Sequence, residues 1–419
     1  MPARPHTAIF TDNESRKDLL ARELLKGNPP QVLAFLEGMR GALFSNTIIE
    51  TLLEEEARHD RCGLPLEAGR KLATFSSGER KKALLAHLLK NPPDFLILDN
   101  AFENLDRTSR QQLKKALQAV EARVILIQFL GRAADLLPMI QHTAGLNGTV
   151  LEGFPDYRPP KREATDPDPF AGTLPPPPDP FPDLPDLLVE FRGVDLSYQG
   201  KPVLHGVDWK IRQGEFWELK GPNGSGKTSL ITLITGDNPK VYGKEVYLFG
   251  RRRGSGESVW EVKARIGYFT PAMTDRLRGY HKALHMLVSG LTDSIGLYVQ
   301  PTDGQRDLAR AWLQLLGLEG LATTAFQDLT EGQKRLLMCA RAMIKHPPLL
   351  ILDEPTAGLD DPSARLLVSL VRKMASESRT AIVFVSHREE PGLEAPCTLE
   401  LIPGPGGGRS VSHKPVQGA

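Results

Sequence analysis

A glycine-rich segment, Gly221 to Thr228, carries the residue types and spacing of a loop that binds phosphate groups. Its sequence, Gly-Pro-Asn-Gly-Ser-Gly-Lys-Thr, follows a strand-like run and opens a helix-like run. Glycines let the backbone wrap closely, so that several N–H groups and the positive helix terminus face the phosphates. Lys227 would reach the β- and γ-phosphates, and the Thr228 hydroxyl would bind Mg²⁺. The predicted site comprises Gly221, Pro222, Asn223, Gly224, Ser225, Gly226, Lys227, Thr228 and Ser229.

Two adjacent carboxylates have the position that chemistry on the phosphate requires. Asp353 follows the apolar run Leu349–Leu352, and in enzymes with such a loop the carboxylate at this position holds Mg²⁺. Glu354 comes next and could polarise the attacking water. An Asp-Glu pair after a strand is by itself usually a solvated turn. With the phosphate loop upstream, we interpret the pair as catalytic.

The elements that would position these groups alternate between strand and helix. Short continuous apolar runs, such as Phe95–Leu98 and Leu349–Leu352, are typical of strands covered on both faces of a parallel sheet. Helical segments, 79–90 and 333–345, precede both runs. The pattern predicts an α/β fold of the P-loop nucleoside triphosphatase class with a helical insertion.

One pattern occurs twice in the chain. Gly78 and Asp99 are separated by 21 positions, as are Gly332 and Asp353, and a further aspartate follows seven positions after each of these aspartates. Matching order, spacing and residue type indicate a duplicated unit. A proline-rich acidic stretch between the copies predicts an extended linker. The predicted domains are a partial first copy at 1–153, the linker at 154–187, a complete copy at 188–403 and a flexible tail at 404–419.

The composition excludes some classes of function. The net charge is +1, with 52 basic and 51 acidic residues, so we expect no nucleic-acid partner. No apolar run approaches the roughly 18 residues that a membrane-spanning helix needs. We therefore expect a cytoplasmic protein or one bound to the inner face of the cell membrane.

These motifs resemble the ATP-binding-cassette (ABC) family across nearly the whole chain. Beside the phosphate loop, the match includes Leu352-Asp353-Glu354-Pro355, Ala357-Gly358-Leu359-Asp360 and Val385-Ser386-His387. The resemblance implies an ATP hydrolase that uses ATP and Mg²⁺, in which His387 contacts the γ-phosphate and Tyr198 stacks on adenine. It also implies that Asp360 communicates between the halves. The alternative for Tyr198 is a core or edge aromatic residue.

Within the family, the chain resembles the two-cassette ATP-binding proteins associated with bacterial molybdate transport. This resemblance rests on Phe249–Glu257, on Asp293–Tyr298 and on the linked double layout. It implies integral membrane transporter subunits as partners and an oxyanion or metal as cargo. The family's glutamine after the strand Ile266-Gly267-Tyr268 is replaced by Phe269-Thr270-Pro271-Ala272. That departure favours the alternative, a non-transport ABC ATPase acting in regulation, repair or assembly.

The first copy is predicted to be degenerate. It lacks a glycine-rich loop, and we expect no strand before its first helix. Asn100 stands in place of Glu354, and Gln128 is interpreted as the equivalent of His387. A further possibility is a fuller first cassette encoded upstream of Met1. The residues before the signature segment of this copy, Phe75-Ser76-Ser77-Gly78-Glu79, predict three helices: Arg16–Lys26, Gln31–Arg40 and Asn46–His59.

Family members pair head to tail, so the loop of the second copy would face the signature segment of the first. That segment offers the Ser76 hydroxyl and Gly78 to the same ATP, within one chain. The other signature segment, Leu329-Thr330-Glu331-Gly332-Gln333, carries Glu331 where the family usually has glycine, and its carboxylate would repel phosphate. We therefore predict one working site, with Gly78→Asp abolishing turnover and Gly332→Asp leaving most of it. Helix capping by Ser76 and Thr330 is compatible with this interpretation.

Overall fold

The computed structural model describes residues 5–59, 63–64, 70–159, 169–276, 280–294, 296–297 and 299–414. These residues form two compact units. The first contains the chain up to Asp166 together with Gly358–Asp361, and the second contains the remainder. Of the segment Asp293–Tyr298, Ile295 and Tyr298 lie outside the described residues, as do residues 160–168 of the linker and 415–419 of the tail.

The first unit is built on a six-stranded sheet. Its strand order is β2-β3-β4-β1-β5-β6, parallel throughout except for the antiparallel pair of β5 and β6. Strand β3 is buried on both faces from Phe95 to Leu98. The elements are β1 (Thr7–Thr11), α1 (Lys17–Leu25), β2 (Gly41–Phe44), α2 (Asn46–His59), α3 (Ser77–Leu88), β3 (Phe95–Asp99), α4 (Arg107–Gln118), β4 (Ile125–Leu130), β5 (His142–Asn147) and β6 (Val150–Glu152).

The second unit contains two sheets and most of the helices. Its antiparallel sheet has the order β11-β10-β7-β8, and its six-stranded sheet has the order β12-β13-β14-β9-β15-β16. The elements are β7 (Leu187–Tyr198), β8 (Lys201–Arg212), β9 (Phe216–Lys220), α5 (Lys227–Thr235), β10 (Val246–Leu248), β11 (Arg251–Arg252), α6 (Val259–Ala264), β12 (Ile266–Phe269), α7 (Pro271–Arg276), α8 (Ala283–Ser289), α9 (Asp303–Leu315), α10 (Glu331–Met343), β13 (Leu349–Asp353), α11 (Asp361–Glu377), β14 (Ala381–Val385), β15 (Cys397–Ile402) and β16 (Arg409–His413).

The two six-stranded sheets have the same topology. Strand β1 lies between β4 and β5 as β9 lies between β14 and β15, and the last strand of each sheet is antiparallel. The expectation that no strand precedes the first helix was therefore wrong. Thr7–Thr11 form the strand because their side chains are almost entirely buried within the first unit's sheet. The described residues of the first unit contain no counterpart of the antiparallel sheet.

The predicted helix Gln31–Arg40 is also wrong. Only a 3₁₀ helix forms, from Gln31 to Leu36, and strand β2 follows it. Gly38 has a φ of 75°, a left-handed conformation that interrupts a helix and suits glycine. The other two predicted helices of this region match α1 and α2 within one residue at each end.

Parts of the linker and of the tail are ordered, contrary to the sequence-based expectation. Phe170 and Leu174 are buried, the Leu174 N–H donates to Glu377 at 2.7 Å, and the Pro175 carbonyl lies 2.7 Å from His346 Nε2. Strand β16 falls within the predicted flexible tail and pairs with β15 along its length. Backbone pairing, rather than apolar composition, orders this glycine-rich end of the chain. In the described part of the chain, no helix is long and apolar enough to cross a bilayer.

Candidate functional site

The phosphate loop lies between β9 and α5, as the sequence predicted. Gly221 and Gly226 have φ angles of 148° and 101°. A Cβ atom at Gly226 would lie 2.6 Å from Leu204 Cδ2, and one at Gly221 would lie 2.7 Å from the Leu401 carbonyl oxygen. Glycine is required at both positions, because the backbone is left-handed and the space beside it is filled.

The polar side chains of the site differ in whether their atoms have hydrogen-bond partners. Lys227 Nζ donates to the carbonyl oxygens of Gly221 at 2.6 Å and Pro222 at 3.0 Å. Ser225 Oγ and His387 Nε2 are buried and have no hydrogen-bond partner among the described residues. Buried polar atoms without a partner are costly and call for an explanation. A bound phosphate would supply an acceptor to the Ser225 hydroxyl and, when the imidazole is doubly protonated, to His387 Nε2.

Asp353 and Glu354 stand at the carboxyl end of β13, which lies between β12 and β14 in the sheet. Asp353 is in register with Val385, and the Glu354 N–H donates to the Val385 carbonyl at 3.0 Å. Glu354 has a φ of 50°, which turns the chain sharply out of the strand. Its Oε1 lies 3.1 Å from His387 Nδ1. The hydrogen bond fixes both side chains and leaves His387 Nε2 for another partner.

The two carboxylates titrate differently. Burial and the neighbouring charge of Glu354 raise the pKa of Asp353 to about 6, although Lys227 opposes the shift. Burial also acts to raise the pKa of Glu354, but the hydrogen bond and charge of His387, with Lys227 and Arg388, lower it overall. Glu354 is therefore ionised at neutral pH and can act as a base, while Asp353 is an ion held at a cost that a bound cation would relieve.

Replacing Asp353 by asparagine should stabilise the nucleotide-free protein. A pKa raised from 3.8 to about 6 corresponds to about 3 kcal/mol at most. Because the folded pKa is the higher one, this destabilisation is complete above about pH 6 and disappears near pH 4. Melting curves of wild type and Asp353→Asn should differ at about pH 7.5 and converge near pH 4. A variant that melts below the wild type at about pH 7.5 would contradict the assignment.

Tyr198 ends β7 and is 39% exposed. Its hydroxyl oxygen accepts a hydrogen bond from Asn238 Nδ2 at 2.6 Å, and Lys240 Nζ lies 4.7 Å from the ring centroid. Asn238 is buried, and its side chain also lies within 3.4 Å of Thr232 Oγ1 on α5. The ring is thus held to the helix that follows the phosphate loop. Stacking on adenine remains a prediction, and no sequence pattern indicated the Asn238 contact.

Comparison with known proteins identifies the family. A sequence profile of the ABC transporter family matches residues 204–357. The ABC transporter ATP-binding protein ModF of Escherichia coli (strain K12) is 35% identical over 392 residues, which cover 88% of this chain and 79% of ModF. The chain belongs to the ABC transporter ATP-binding proteins. It is therefore an ABC-type ATPase, and the predicted family and enzyme class are confirmed.

Other ABC proteins match parts of the chain. An uncharacterised ABC transporter ATP-binding protein of Schizosaccharomyces pombe is 27% identical, with coverage of 76% of this chain and 66% of the relative. YlmA of Bacillus subtilis is 32% identical over 49% of this chain and 77% of its own. Among solved structures, cbiO1 of Clostridium perfringens aligns with a TM-score of 0.48 and 23% identity over 55% of this chain and 90% of its own.

In this ABC ATPase the two signature segments begin helices in the same way. Ser76 Oγ accepts from the Glu79 N–H at 3.3 Å, and the Ser76 N–H donates to Glu79 Oε2 at 2.8 Å. Thr330 and Gln333 form the same capping box, at 3.3 and 3.0 Å. Ser76 is exposed at the start of α3. Its role toward ATP remains a prediction, compatible with capping.

Gly78 also has a packing role that the sequence did not indicate. A Cβ atom at this position would lie 2.6 Å from Ser109 Oγ, on α4 of the same unit. Any side chain at Gly78 would therefore press against α4, whether or not Gly78 contacts ATP. A loss of activity in Gly78→Asp would not distinguish a nucleotide contact from a packing fault, so the test is better made at Ser76.

The first unit has a lysine at the position that corresponds to Lys227, which the sequence interpretation missed. Helix α1 begins at Lys17 after β1, as α5 begins at Lys227 after β9, and both helices have nine residues. Lys17 Nζ forms a 2.7 Å ion pair with Asp99, the last residue of β3. Asp99 occupies the position in its sheet that Asp353 occupies in the other. Here the lysine neutralises the aspartate directly.

The interpretation of Gln128 as the equivalent of His387 was wrong. Asp99 is in register with Phe129, and Asp353 with Val385. His387 lies two residues after Val385, so its counterpart is Gly131. Gln128 is a buried residue within β4, where its amide bonds to the backbone of Asp135 and Leu137. The same register keeps Asn100 as the counterpart of Glu354.

Proposed function

We propose that this ABC ATPase hydrolyses Mg·ATP at a single composite site. The second unit would contribute the phosphate loop, Asp353, Glu354 and His387, and the first unit would contribute Ser76 and Gly78. The observation that carries the proposal is the pair of buried, unpartnered atoms at the loop, Ser225 Oγ and His387 Nε2, beside the lysine of the same loop.

Each side chain has a role that follows from its position. Lys227 would exchange its two loop carbonyls for phosphate oxygens, and His387 Nε2 would contact the γ-phosphate. Glu354 would accept a proton from the attacking water, because its carboxylate is ionised and fixed by His387. Tyr198 would stack on the adenine. The protein's contribution is mainly placement of charge around a phosphoryl group.

The residues present also fit Mg²⁺. This ion usually keeps several waters and is held by one or two carboxylates together with substrate phosphates. Thr228 is exposed at the start of α5, and burial and the charge of Glu354 raise the pKa of Asp353 even though Lys227 opposes the shift. Within the described residues no cluster of three or more His, Cys, Asp or Glu side chains could hold a metal. A site shared with ATP is consistent with both facts. Mg²⁺ would supply neutralisation of phosphate charge there.

The defects of the first unit support a single site. Its lysine is already paired with Asp99, Asn100 replaces the base, and glycine replaces the histidine. The signature that would serve it carries Glu331, whose carboxylate pairs with Lys334 at 2.9 Å. All of these losses concern one of the two sites that a head-to-tail pair can form.

Ser76→Ala and Thr330→Ala form a matched test of this arrangement. Both side chains cap a helix with the same geometry, so each change should cost about 1 kcal/mol of local stability. Only Ser76→Ala removes a hydrogen bond to ATP. We expect its kcat/KM for ATP to fall about tenfold or more, and that of Thr330→Ala to stay near the wild-type value.

The assay is steady-state ATP hydrolysis at matched protein folding, checked by melting temperature. Equal losses in the two variants would contradict the composite site, since they would reflect capping alone. A larger loss in Thr330→Ala would assign the working signature to the second unit.

We further propose that hydrolysis energises a membrane transporter at the inner face of the cell membrane, with an oxyanion such as molybdate or a metal as cargo. ABC ATPases pair with membrane transporter subunits, and the likeness to ModF supports this. One observation favours a second candidate, a non-transport ATPase: Thr270 and Pro271 follow β12 where the family has its glutamine, and α7 begins at once. Co-purification with an integral membrane subunit would favour the transporter. If no such subunit co-purifies under mild extraction, the second candidate is favoured.

A further inference from the structure

The glycine-rich segment that joins β15 to β16 is packed beside the phosphate loop. The Gly408 N–H donates to the Val203 carbonyl at 2.8 Å, and the His205 N–H donates to the Gly408 carbonyl at 3.0 Å. Gly408 therefore forms a short parallel bridge with the start of β8. Gly407 and Gly408 are buried, whereas Gly406 is exposed.

Gly408 touches the loop backbone itself. A Cβ atom at this position would overlap the carbonyl oxygen of Ser225 and lie 3.4 Å from its carbonyl carbon. The φ angle of Gly408 is not in the left-handed region, so close packing is the reason for glycine here. Val203 and Leu204, which Gly408 holds by its hydrogen bond, are in turn within 3.2 Å of a Cβ atom placed on Gly226. The two segments together support the peptide between Ser225 and Gly226.

The orientation of this peptide affects phosphate binding. A peptide unit is planar and trans, so its C=O and N–H point in opposite directions. Whatever fixes the Ser225 carbonyl also fixes the Gly226 N–H. In loops of this type the backbone N–H groups are the phosphate donors. A displaced carbonyl would therefore turn a donor away from the ligand.

We propose that Gly408 is a positioning residue for ATP binding, which holds the Ser225–Gly226 peptide in the orientation that presents the Gly226 N–H to a phosphate. The inference rests on the proposed phosphate site at Gly221–Thr228. It assigns Gly408 alone of the segment 404–408 to the support of the nucleotide site, through its backbone rather than through a side chain.

Two alanine variants of the same segment test the proposal. Gly408→Ala must move the Ser225 carbonyl, whereas a Cβ atom at Gly406 meets only His205 at 3.9 Å. We expect the Kd for ATP, measured by isothermal titration calorimetry on the full chain, to rise at least about tenfold in Gly408→Ala, the loss of one charge-assisted hydrogen bond. Gly406→Ala should stay within about twofold of wild type. The nucleotide-free melting temperatures of the two variants should agree within a few degrees.

An equal Kd in Gly408→Ala and wild type would overturn the proposal, and so would equal losses in the two variants. Wild-type protein that binds no ATP would instead contradict the phosphate site itself. If Gly408→Ala does not fold, hydrogen exchange on wild type decides the matter. Because coupling is reciprocal, ATP should slow exchange in a peptide covering residues 404–408 as well as in the phosphate loop. Unchanged exchange at 404–408 alongside a protected loop would refute the role of Gly408.

Discussion

Replacing Glu354 by glutamine is expected to abolish ATP hydrolysis while ATP still binds. Glutamine keeps the volume of the side chain and an oxygen that can accept from His387 Nδ1, which lies 3.1 Å from Oε1 in the wild type. It cannot take a proton from water at neutral pH. General-base catalysis contributes about 10²–10⁴-fold, so kcat should fall by that factor. Single-turnover hydrolysis and ATP titration on the same preparation measure the two effects separately.

Glu389→Gln is the matched control for the loss of one negative charge. Glu389 is exposed and lies two residues beyond His387. It has no role in the proposed site. Its kcat should stay within about twofold of wild type. Glu354→Gln with unchanged turnover would remove Glu354 from the role of base. Glu354→Gln with lost ATP binding would instead indicate that the carboxylate shapes the loop.

The phosphate loop and the buried strands could be predicted from the sequence, because both have strong local causes. Gly221–Thr228 needs glycine at left-handed positions, and the structure has such angles at Gly221, Gly224 and Gly226. Phe95–Leu98 and Leu349–Leu352 are apolar throughout, since each strand is covered on both faces. The duplication follows from the same spacing in both units, and the shared strand order agrees with it.

Strand β1 could not be predicted because its partners are distant in sequence, and strand β16 could not because its own residues are mostly polar. Thr7–Thr11 is short, and it pairs with residues more than a hundred positions away. Arg409–His413 is polar, and only its backbone pairing with β15 makes it a strand. Composition describes the residues themselves, whereas these two segments are ordered by hydrogen bonds to partners that composition does not reveal.

Register explains the remaining errors at the site. A shift of three positions separates Gln128, selected from the sequence as the histidine equivalent, from Gly131, which the strand pairing identifies. The packing of Gly78 against Ser109 likewise depends on where α4 lies relative to α3. Sequence spacing locates a motif to within a few residues, whereas the tertiary structure determines which side chains are in contact. The ion pair of Lys17 and Asp99 is likewise a contact that tertiary structure determines and sequence spacing does not reveal.

Alanine substitution of the two lysines that begin α1 and α5 should have different effects. At Lys227 it should weaken ATP binding, and at Lys17 it should lower the stability of the protein. Lys227→Ala removes the cation that bridges the phosphates, so we expect the Kd for Mg·ATP to rise by about a hundredfold, from the loss of two or so charge-assisted hydrogen bonds. Lys17→Ala should leave this Kd near the wild-type value. Its effect is on stability, because Asp99 loses its partner: the Lys17 and Asp99 side chains are only 33% and 23% exposed. A loss of about 1–3 kcal/mol is expected.

Calorimetric titration and melting curves on both variants separate the two roles. A lysine at the start of each helix is retained, but the glycines are lost from the first unit only, so its lysine turns to the aspartate of its own sheet. If Lys17→Ala weakened ATP binding as much as Lys227→Ala, the first unit would hold a second working site. If Lys227→Ala bound ATP undiminished, the loop could not be the phosphate site. An unchanged melting temperature in Lys17→Ala would show that the ion pair does not stabilise the first unit.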